Sequence, residues 1–193
     1  MRDSKLVMLL APEGEGKTRI INWLLRSPKL RAGVIVSLVR DAQIPPEKAF
    51  VFMEPQPPAS PDGAYAIAEL AFRLRPGDWL IVDDAESYFH PRRTLSLAAT
   101  QNPFREFLNY RRNVGINVLL AAKNPLDFTV QMRNNTRLFI VHPAREPSIL
   151  RWEKEAGFPA EEILPHGVFW AGSREIGWTK VDTNSLDSWD PPV

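Results

Sequence analysis

The 193-residue sequence predicts an α/β protein in which helices cover both faces of a mostly parallel sheet. Three observations predict this fold class. Short apolar or β-branched runs alternate with segments whose apolar residues recur at helical spacing, polar or glycine-containing loops separate them, and the last two runs fit a C-terminal β-hairpin. The sequence shows no internal repeat and no sign of a second domain. We therefore expect a single domain over residues 1–181 and a flexible tail over residues 182–193.

The individual elements follow from local patterns. The predicted strands are residues 5–10, 33–39, 49–53, 78–83, 116–122 and 137–141. Helices are predicted over residues 18–26, 64–74 and 103–115, with a further short helix between the last two strands. Asn102 followed by Pro103 is a typical helix start. The prolines of residues 54–62 predict an irregular loop, and the terminal hairpin is expected to turn at Gly172 and Ser173.

Composition and charge restrict the class of protein. The chain has no cysteine, so disulfides, thiolate metal sites and a cysteine nucleophile are excluded. No apolar run reaches the roughly 18 residues that a membrane span needs, and no cleavage site follows the apolar segment near the N-terminus, so neither a span nor a signal peptide is expected. The formal net charge of +1 gives no overall nucleic-acid signature. The three histidines lack metal-ligand spacing, and we interpret them as ordinary residues.

The segment APEGEGKT, residues 11–18, predicts a phosphate-binding loop. It lies between an apolar strand and an amphipathic helix, so its backbone N–H groups would converge at a helix N-terminus, where the dipole also favours anions. Gly14 and Gly16 allow positive φ and a close approach to phosphate. Lys17 would supply charge for the β- and γ-phosphates, and Thr18 a hydroxyl ligand for Mg²⁺. The expected nucleotide-binding residues are Glu13, Gly14, Glu15, Gly16, Lys17, Thr18 and Arg19.

Alanine occupies position 11, where such a loop usually has glycine. The following Pro12 favours an extended conformation at this position, which alanine tolerates, so the substitution is compatible with the loop. A glycine turn beside a surface lysine is the alternative interpretation. The apolar strand before the loop and the amphipathic helix after it favour the phosphate loop instead.

A second motif, LIVDDAESYF at residues 80–89, predicts the other half of a nucleotide site. Asp83 ends an apolar strand, and a carboxylate at the carboxyl end of a parallel strand can hold Mg²⁺ through water. Asp84 or Glu86 would then orient or deprotonate an attacking water. Acidic residues also follow strands simply as turn formers, and the combination with the phosphate loop favours the catalytic role. Thr18 and Asp83 are therefore the expected metal ligands.

The spacing of the two motifs predicts a P-loop NTPase fold of the ASCE, RecA-like branch. About 65 residues separate Lys17 from Asp83, and they include the β-branched run GVIVSLV, which leaves room for a strand inserted between the two motif strands. GTPases read guanine with an N-K-x-D segment, whereas this chain has AAKNPLD over residues 121–127. ATP is therefore expected rather than GTP, together with Mg²⁺.

From Ile81 to Val141, the order of motifs resembles the FtsK/HerA superfamily of DNA-pumping ATPases. The matching segments are LIVDDAESYF, NYRRNVG, NVLLAAKNP and QMRNNTRLFIV. The small size of the chain is most similar to the genome-packaging ATPases of tailless, membrane-containing double-stranded DNA viruses. The chain departs from the family pattern at two positions, since Asp84 replaces the usual glutamate of the acid pair and Lys123 replaces the usual glutamine of the sensor strand.

The resemblance implies a ring of subunits, usually a hexamer, in which ATP binds between neighbours and an arginine reaches in from the adjacent subunit. Arg111 and Arg112 match the arginine segment of the family, and Arg133 is the next candidate. The alternative for these arginines is a contact with the helix C-terminus or with a carboxylate. Lys123 would contact the γ-phosphate, stabilise transition-state charge or point to DNA. Because such a pump grips DNA by its phosphates, HPRR at residues 90–93 is a candidate contact.

These expectations favour an ATP-driven translocase of double-stranded DNA, most similar to a viral genome-packaging ATPase. Its expected partners are further copies of the chain in a ring, double-stranded DNA, and capsid-vertex or membrane-associated viral proteins, in the host cytoplasm or in the virion. Three alternatives stay open: a Zot-like phage assembly ATPase, a small-molecule kinase and a non-catalytic nucleotide-binding switch. A Zot-like protein usually continues into a membrane span, and a kinase would need a lid and an acceptor pocket near the loop.

Overall fold

The computed structural model describes residues 4–37, 41–53, 61–89, 103–143, 151–152, 154–159 and 162–185. The strands are β1 Leu6–Leu10, β2 Ala32–Val36, β3 Ala49–Met53, β4 Trp79–Val82, β5 Asn117–Ala122, β6 Leu138–Val141, β7 Val168–Ser173 and β8 Gly177–Asp182. The main helices are α1 Lys17–Arg26, α2 Pro61–Phe72, α3 Glu86–Phe89, α4 Pro103–Val114 and α5 Val130–Asn134, with a 3₁₀ turn at Pro125–Asp127. None of the helices in the described ranges is long and apolar enough to cross a membrane.

These strands form one sheet in the order β3-β2-β4-β5-β1-β6-β7-β8. The neighbours from β3 to β6 are parallel, whereas β7 is antiparallel to β6 and β8 is antiparallel to β7. The prediction of an α/β fold with a mostly parallel sheet and a C-terminal hairpin is therefore confirmed.

One strand separates the two strands that precede the predicted motifs. β5 pairs with β1 on one side and with β4 on the other, so it is the inserted strand. The run GVIVSLV contains β2 instead, which lies on the far side of β4. The expected inserted strand is therefore present, but it is β5, from later in the chain, and not the run GVIVSLV. The order of strands along a chain does not fix their order in a sheet.

Both faces of the sheet are buried, as β1 shows most clearly. Its Leu6, Met8 and Leu10 pack on one face with residues of α2, α3 and α4, whereas Val7 and Leu9 pack on the other face against α1. Burial on both sides explains why β1 is a continuous apolar run rather than an alternating one. α1 contributes an apolar stripe to the second layer, namely Ile20, Ile21, Leu24 and Leu25.

Most element boundaries agree with the predicted ones to within a few residues. One difference is at α2, which begins at Pro61 rather than at residue 64, because proline is favoured at the first helical position. The rest of the predicted proline-rich loop, residues 54–60, lies outside the described residues. The same holds for Asn102 and for the predicted end of the second strand at residues 38–39.

The terminal hairpin turns later than the predicted Gly172 and Ser173. Both residues belong to β7, and Ser173 pairs with Gly177, so the turn is formed by residues 174–176. A Cβ at Gly172 would lie 2.0 Å from the backbone oxygen of Gly177. Gly177 has a φ of +78°, the left-handed conformation that follows a three-residue hairpin loop. The predicted turn position is wrong because Gly172 permits a close backbone approach and does not make a turn.

The predicted tail begins too early. Asp182 completes β8, and Thr183 is only 6% exposed and donates its N–H to the Gly167 carbonyl oxygen at 2.9 Å. Residues 182–185 are therefore part of the folded domain, and the boundary after residue 181 is wrong. Residues 186–193 lie outside the described residues.

We expect Gly172→Asn to lower the free energy of unfolding by about 2–3 kcal/mol, because any side chain collides with the backbone of Gly177. Gly177→Asn is the matched control. No described atom lies within 4 Å of a Cβ placed there, and asparagine tolerates a positive φ, so the loss should stay below about 1 kcal/mol. Urea unfolding measures both variants, and equal losses would contradict the observed turn.

Candidate nucleotide-binding site

The segment between β1 and α1 curls around the start of the helix. Gly14 and Gly16 have φ values of +83° and +93°, and Gly16 is the N-cap residue of α1, without a side chain that caps the helix. The N–H groups of the first turn have no partner within an α-helix, so these donors and the positive end of the helix dipole are available to an anion. This is the geometry of a phosphate loop.

Ala11 continues the pairing of β1 beyond its last residue. Its N–H donates to the carbonyl oxygen of Ala122 at 3.1 Å, and the residue is buried. It lies in the sheet, before the region of positive φ that begins at Gly14. The interpretation that alanine is compatible with this position is therefore confirmed.

The Lys17 side chain lies between the loop and a group of carboxylates. Its Nζ donates to the carbonyl oxygens of Ala11 and Pro12, at 2.8 Å and 3.0 Å. Burial lowers the pKa of Lys17, and nearby negative charges, of which those of Asp84 and Glu86 act most strongly, oppose that change. The ammonium group is therefore held next to the acidic motif.

The acidic motif is held at the carboxyl end of β4. The N–H of Asp83 donates to the carbonyl oxygen of Val36 at 2.9 Å, and its Oδ1 accepts from the N–H of Asp84 at 3.1 Å. Burial raises the pKa of Asp83, and the charge of Asp84 raises it further. Asp84 has a φ of +47°, which residues other than glycine rarely adopt. The N–H of Ala85 donates to the Ala121 carbonyl oxygen at 2.8 Å and so fixes this turn against β5.

Lys123 follows β5 and contacts the phosphate loop. Its Nζ lies 3.2 Å from Oε2 of Glu13, and this hydrogen bond, together with the charge of Glu13, raises the pKa of Lys123. Both side chains are exposed, so the pair contributes little to stability. The charges of Glu86 and Asp84 also act on Lys123, which places the lysine near the acidic motif as well as near the loop.

β1, β4 and β5 are parallel neighbours, so their carboxyl ends meet at one edge of the sheet. The predicted residues that meet there are Lys17, Thr18, Asp83, Asp84, Glu86 and Lys123. A carboxylate and a hydroxyl are hard oxygen ligands, so Asp83 and Thr18 fit Mg²⁺. Within the described ranges, no group of three or more His, Cys, Asp or Glu side chains is arranged to hold a metal ion. Coordination by two protein ligands, phosphate oxygens and water is typical of Mg²⁺.

Arg111 does not lie at this edge. Its side chain is 1% exposed, and Nη1 donates to Oγ of Ser4 at 2.9 Å, beside the start of β1 and at the opposite end of that strand from the loop. Burial, followed by the charge of Arg112, lowers the pKa of Arg111 to about 10. A guanidinium enclosed in its own subunit cannot reach the nucleotide of a neighbour, so the prediction that Arg111 acts in trans is wrong.

Arg112 is the exposed member of the pair, and its Nη2 donates to Oδ1 of Asn135 at 2.5 Å. Arg133 is half-buried, which lowers its pKa, and its Nη1 donates to the carbonyl oxygens of Pro125 and Phe128, at 3.1 Å and 2.7 Å. Arg133 therefore closes the 3₁₀ turn of its own subunit. Arg112 is the better placed of the two for a contact with a neighbouring subunit, and that role stays a prediction.

A pocket of about 320 Å³ adjoins the phosphate loop along α1. One side of α1, a loop residue and the segment after β8 line it: Arg19, Asn22, Trp23, Arg26, Gln43, Thr183 and Asn184. Nη1 of Arg19 donates to Oδ1 of Asn184 at 3.2 Å. A Cβ on Gly16 would lie 3.8 Å from Cγ2 of Thr183, so the pocket begins at the loop itself. A ligand whose phosphates lie on the loop can therefore extend into it.

Sequence patterns missed two parts of this neighbourhood. Thr183 and Asn184 fall in the expected tail, and their place beside the loop follows from the pairing of β8. His142 and His166, which we interpreted as ordinary residues, both lie against Glu15 of the loop. For His142 the sequence does hold a signal, because it directly follows a predicted parallel strand and so falls at the edge where the loop lies.

Solved structures share this fold, although no protein-family model and no curated protein sequence matches the chain. B204, the DNA-packaging ATPase from Sulfolobus Turreted Icosahedral Virus, matches with a TM-score of 0.67 and 18% identity over 93% of this chain and 98% of that one. The genome packaging NTPase B204 from Sulfolobus turreted icosahedral virus 2, in complex with sulfate, matches with a TM-score of 0.69 and 16% identity over 100% of this chain and 99% of that one. The N-terminal domain of zonular occludens toxin from Neisseria meningitidis matches with a TM-score of 0.57 and 15% identity over 96% of this chain and 90% of that one.

The fold is therefore that of the P-loop NTPases. The chain shares the fold of the genome-packaging ATPase B204, which matches over nearly the whole of both chains. The Zot-like alternative shares the same fold. At identities this low, function has to be argued from the site itself.

We expect Lys17→Ala to reduce ATP turnover by about 100-fold or more, because the ammonium group is the charge that the loop would offer to the β- and γ-phosphates. Steady-state hydrolysis measures the effect, and thermal unfolding checks that the variant is folded. Lys29→Ala, at an exposed lysine beyond the end of α1, is the matched control and should keep wild-type turnover. Full activity of Lys17→Ala would contradict the assignment of the loop.

We expect Arg111→Ala to affect mainly stability and Arg112→Ala to affect mainly turnover. Arg111→Ala should lower the free energy of unfolding by about 2–4 kcal/mol, because it opens a cavity in a buried region, whereas Arg112→Ala should change it by less than about 0.5 kcal/mol. If Arg112 acts in trans, its loss lowers turnover of the assembled protein by about 10³-fold. Urea unfolding and ATP hydrolysis measure the two effects. Equal stability losses would contradict the different burial of the two side chains.

Proposed function

We propose that this chain is an ATPase that moves double-stranded DNA, with a role like that of the viral genome-packaging ATPases. The proposal depends on one observation. The carboxyl ends of β1, β4 and β5 bring a phosphate loop, an acidic motif and a lysine to one edge of the sheet. Such a set of groups suits the transfer of a phosphoryl group to water. The fold shared with B204 supports the proposal.

The proposed substrate is ATP, with Mg²⁺. The triphosphate would lie on residues 13–19, and the adjoining pocket would take the nucleoside, since its polar side chains and the indole of Trp23 suit a ribose and a base. B204 structures in complex with ATP-gammaS and AMPPCP support ATP as the nucleotide. Mg²⁺ held by Thr18 and Asp83 would offset the negative charge of the phosphates.

The proposed reaction is attack of water on the γ-phosphorus. The water oxygen bonds to phosphorus, the bond from phosphorus to the bridging oxygen breaks, and the products are ADP and phosphate. Asp84 or Glu86 orients the water and accepts its proton. Lys17 stabilises the charge that builds on the phosphate oxygens, and Lys123, which already contacts the loop through Glu13, is within reach of the same region.

The proposed assembly is a homo-oligomeric ring, a hexamer by the family resemblance, with ATP at the boundary between subunits. The exposure of Arg112 supports it as the residue that completes the site of a neighbour. Double-stranded DNA would pass through the ring and be gripped by its phosphates. The candidate DNA contact HPRR, at residues 90–93, lies outside the described residues. Capsid-vertex or membrane-associated viral proteins, in the host cytoplasm or the virion, complete the proposed setting.

A Zot-like phage assembly ATPase is the second candidate. The structural match to the N-terminal domain of zonular occludens toxin favours it. Such a protein would use the same nucleotide site, but protein assembly at a membrane would take the place of DNA transport. The response of ATP hydrolysis to DNA separates the two candidates.

We expect double-stranded DNA to raise ATP turnover, and we expect the stimulation to fade as salt rises, because a grip on phosphates is electrostatic. Steady-state hydrolysis at increasing DNA, at about 50 mM and about 200 mM salt, measures this. Lys17→Ala sets the background. Hydrolysis that does not respond to DNA would leave the ATPase assignment standing and contradict the translocase in favour of protein assembly.

A further inference from the structure

The side chain of Glu15, in the middle of the phosphate loop, lies against two imidazole rings. Its Oε2 is 2.9 Å from Nδ1 of His166 and 3.6 Å from Nε2 of His142. The His142 side chain is 11% exposed and that of Glu15 is 23% exposed, whereas His166 is 74% exposed. Oε2 itself is enclosed and accepts no well-aligned hydrogen bond from the described residues. The oxygen therefore depends on these two rings for a donor.

The fold holds His142 rigidly in this place. His142 directly follows β6, and its N–H donates to the carbonyl oxygen of Leu10, the last residue of β1, at 2.8 Å. Its ring packs edge-to-face on Phe169 with the ring centroids 5.7 Å apart, and Nδ1 lies 2.7 Å from the Val168 carbonyl oxygen. β1 thus holds the backbone of His142 and β7 holds its ring, while Nε2 lies towards Glu15 of the loop.

These contacts decide which protonation state suits the site. A carbonyl oxygen only accepts, so Nδ1 of His142 carries a hydrogen and donates to Val168. In the neutral ring, Nε2 then presents a lone pair to the carboxylate oxygen of Glu15, and two acceptors repel. In the protonated ring both nitrogens are donors, so the same geometry gives a hydrogen bond to Val168 and an ion pair with Glu15. Only the protonated ring offers a donor to both partners in this geometry.

We propose that His142 and His166 are positioning residues of the nucleotide site, which in their protonated forms hold Glu15 and so make nucleotide affinity depend on pH. The inference rests on the proposed nucleotide-binding function. A protonated ring adds an electrostatic tie between the loop and the β6–β7 side of the sheet. It also offsets a negative charge in a loop that receives a polyphosphate.

The direction of the effect follows from the groups that face the rings. Of the described residues, Glu15 is the one charged group within ion-pair distance of either imidazole, and β7 contributes the Val168 carbonyl oxygen and the ring of Phe169 to the surroundings of His142. The ion pair exists only while the imidazoles carry a second proton, so raising the pH weakens it. Nucleotide binding is therefore expected to be tighter at lower pH.

The test compares ADP affinity at about pH 6 and about pH 8, by titration calorimetry with Mg²⁺ on the full chain. His142→Gln keeps an N–H donor for Val168 but cannot take up a proton. We expect the ratio of the two affinities to be about fivefold larger in wild type than in His142→Gln, as a partly buried ion pair would give. Protonation of ADP is the same in every variant, so it cancels in this comparison.

Three further variants keep the test decisive. His166→Gln changes an exposed side chain, so it should fold normally and reduce the pH ratio even if His142→Gln is unstable. Arg174→Gln is the charge-matched control. It removes one positive charge in the turn at the other end of β7, and its pH ratio should equal that of wild type. Glu15→Gln should reduce the ratio whatever its absolute affinity.

The outcomes separate this inference from the function on which it rests. If wild type and both histidine variants bind ADP with the same pH ratio, the inference is wrong and the nucleotide site stands. If Arg174→Gln reduces the ratio as much as the histidine variants do, the effect is one of net charge and the inference is also wrong. If wild type binds no ADP at either pH, the proposed function fails and the inference fails with it.

Discussion

The interior position of β1 is the constraint on which the rest of the site depends. β1 is buried on both faces and paired on both edges, so its carboxyl end delivers the phosphate loop to one place at the edge of the sheet. Its neighbours decide what surrounds the loop. β5 brings Lys123, β6 brings His142, and β4, one strand further, brings Asp83.

Basic side chains from other elements lie against the negative charges of the phosphate loop. The loop carries two carboxylates, Glu13 and Glu15, although it is suited to a polyanion. Each faces a basic group from another element, Lys123 for Glu13 and the two histidines for Glu15. Lys123, which stands where the resembled family usually has glutamine, thus contacts a glutamate of the loop.

Residues that look alike in the sequence differ once the chain is folded. Arg111 and Arg112 are adjacent and match one motif, yet consecutive residues of a helix point in different directions, so one is buried against Ser4 and the other is exposed. Gly172 looks like a turn residue, but it lies where two backbones approach closely. In each case the residue type fits both roles, and burial decides between them.

The sequence by itself determined the local features: the strand, loop and helix around residues 11–18, the strand that leads to Asp83, the place of most helices and strands, and the α/β class. These follow from apolar periodicity and from glycine and proline chemistry, which act over a few residues. Tertiary structure alone decided that β5 is the inserted strand, that Thr183 lines the pocket beside the loop, and that His166 meets Glu15. Those facts depend on which distant segments pair and which side chains are buried. The spacing of residues along the chain predicts neither.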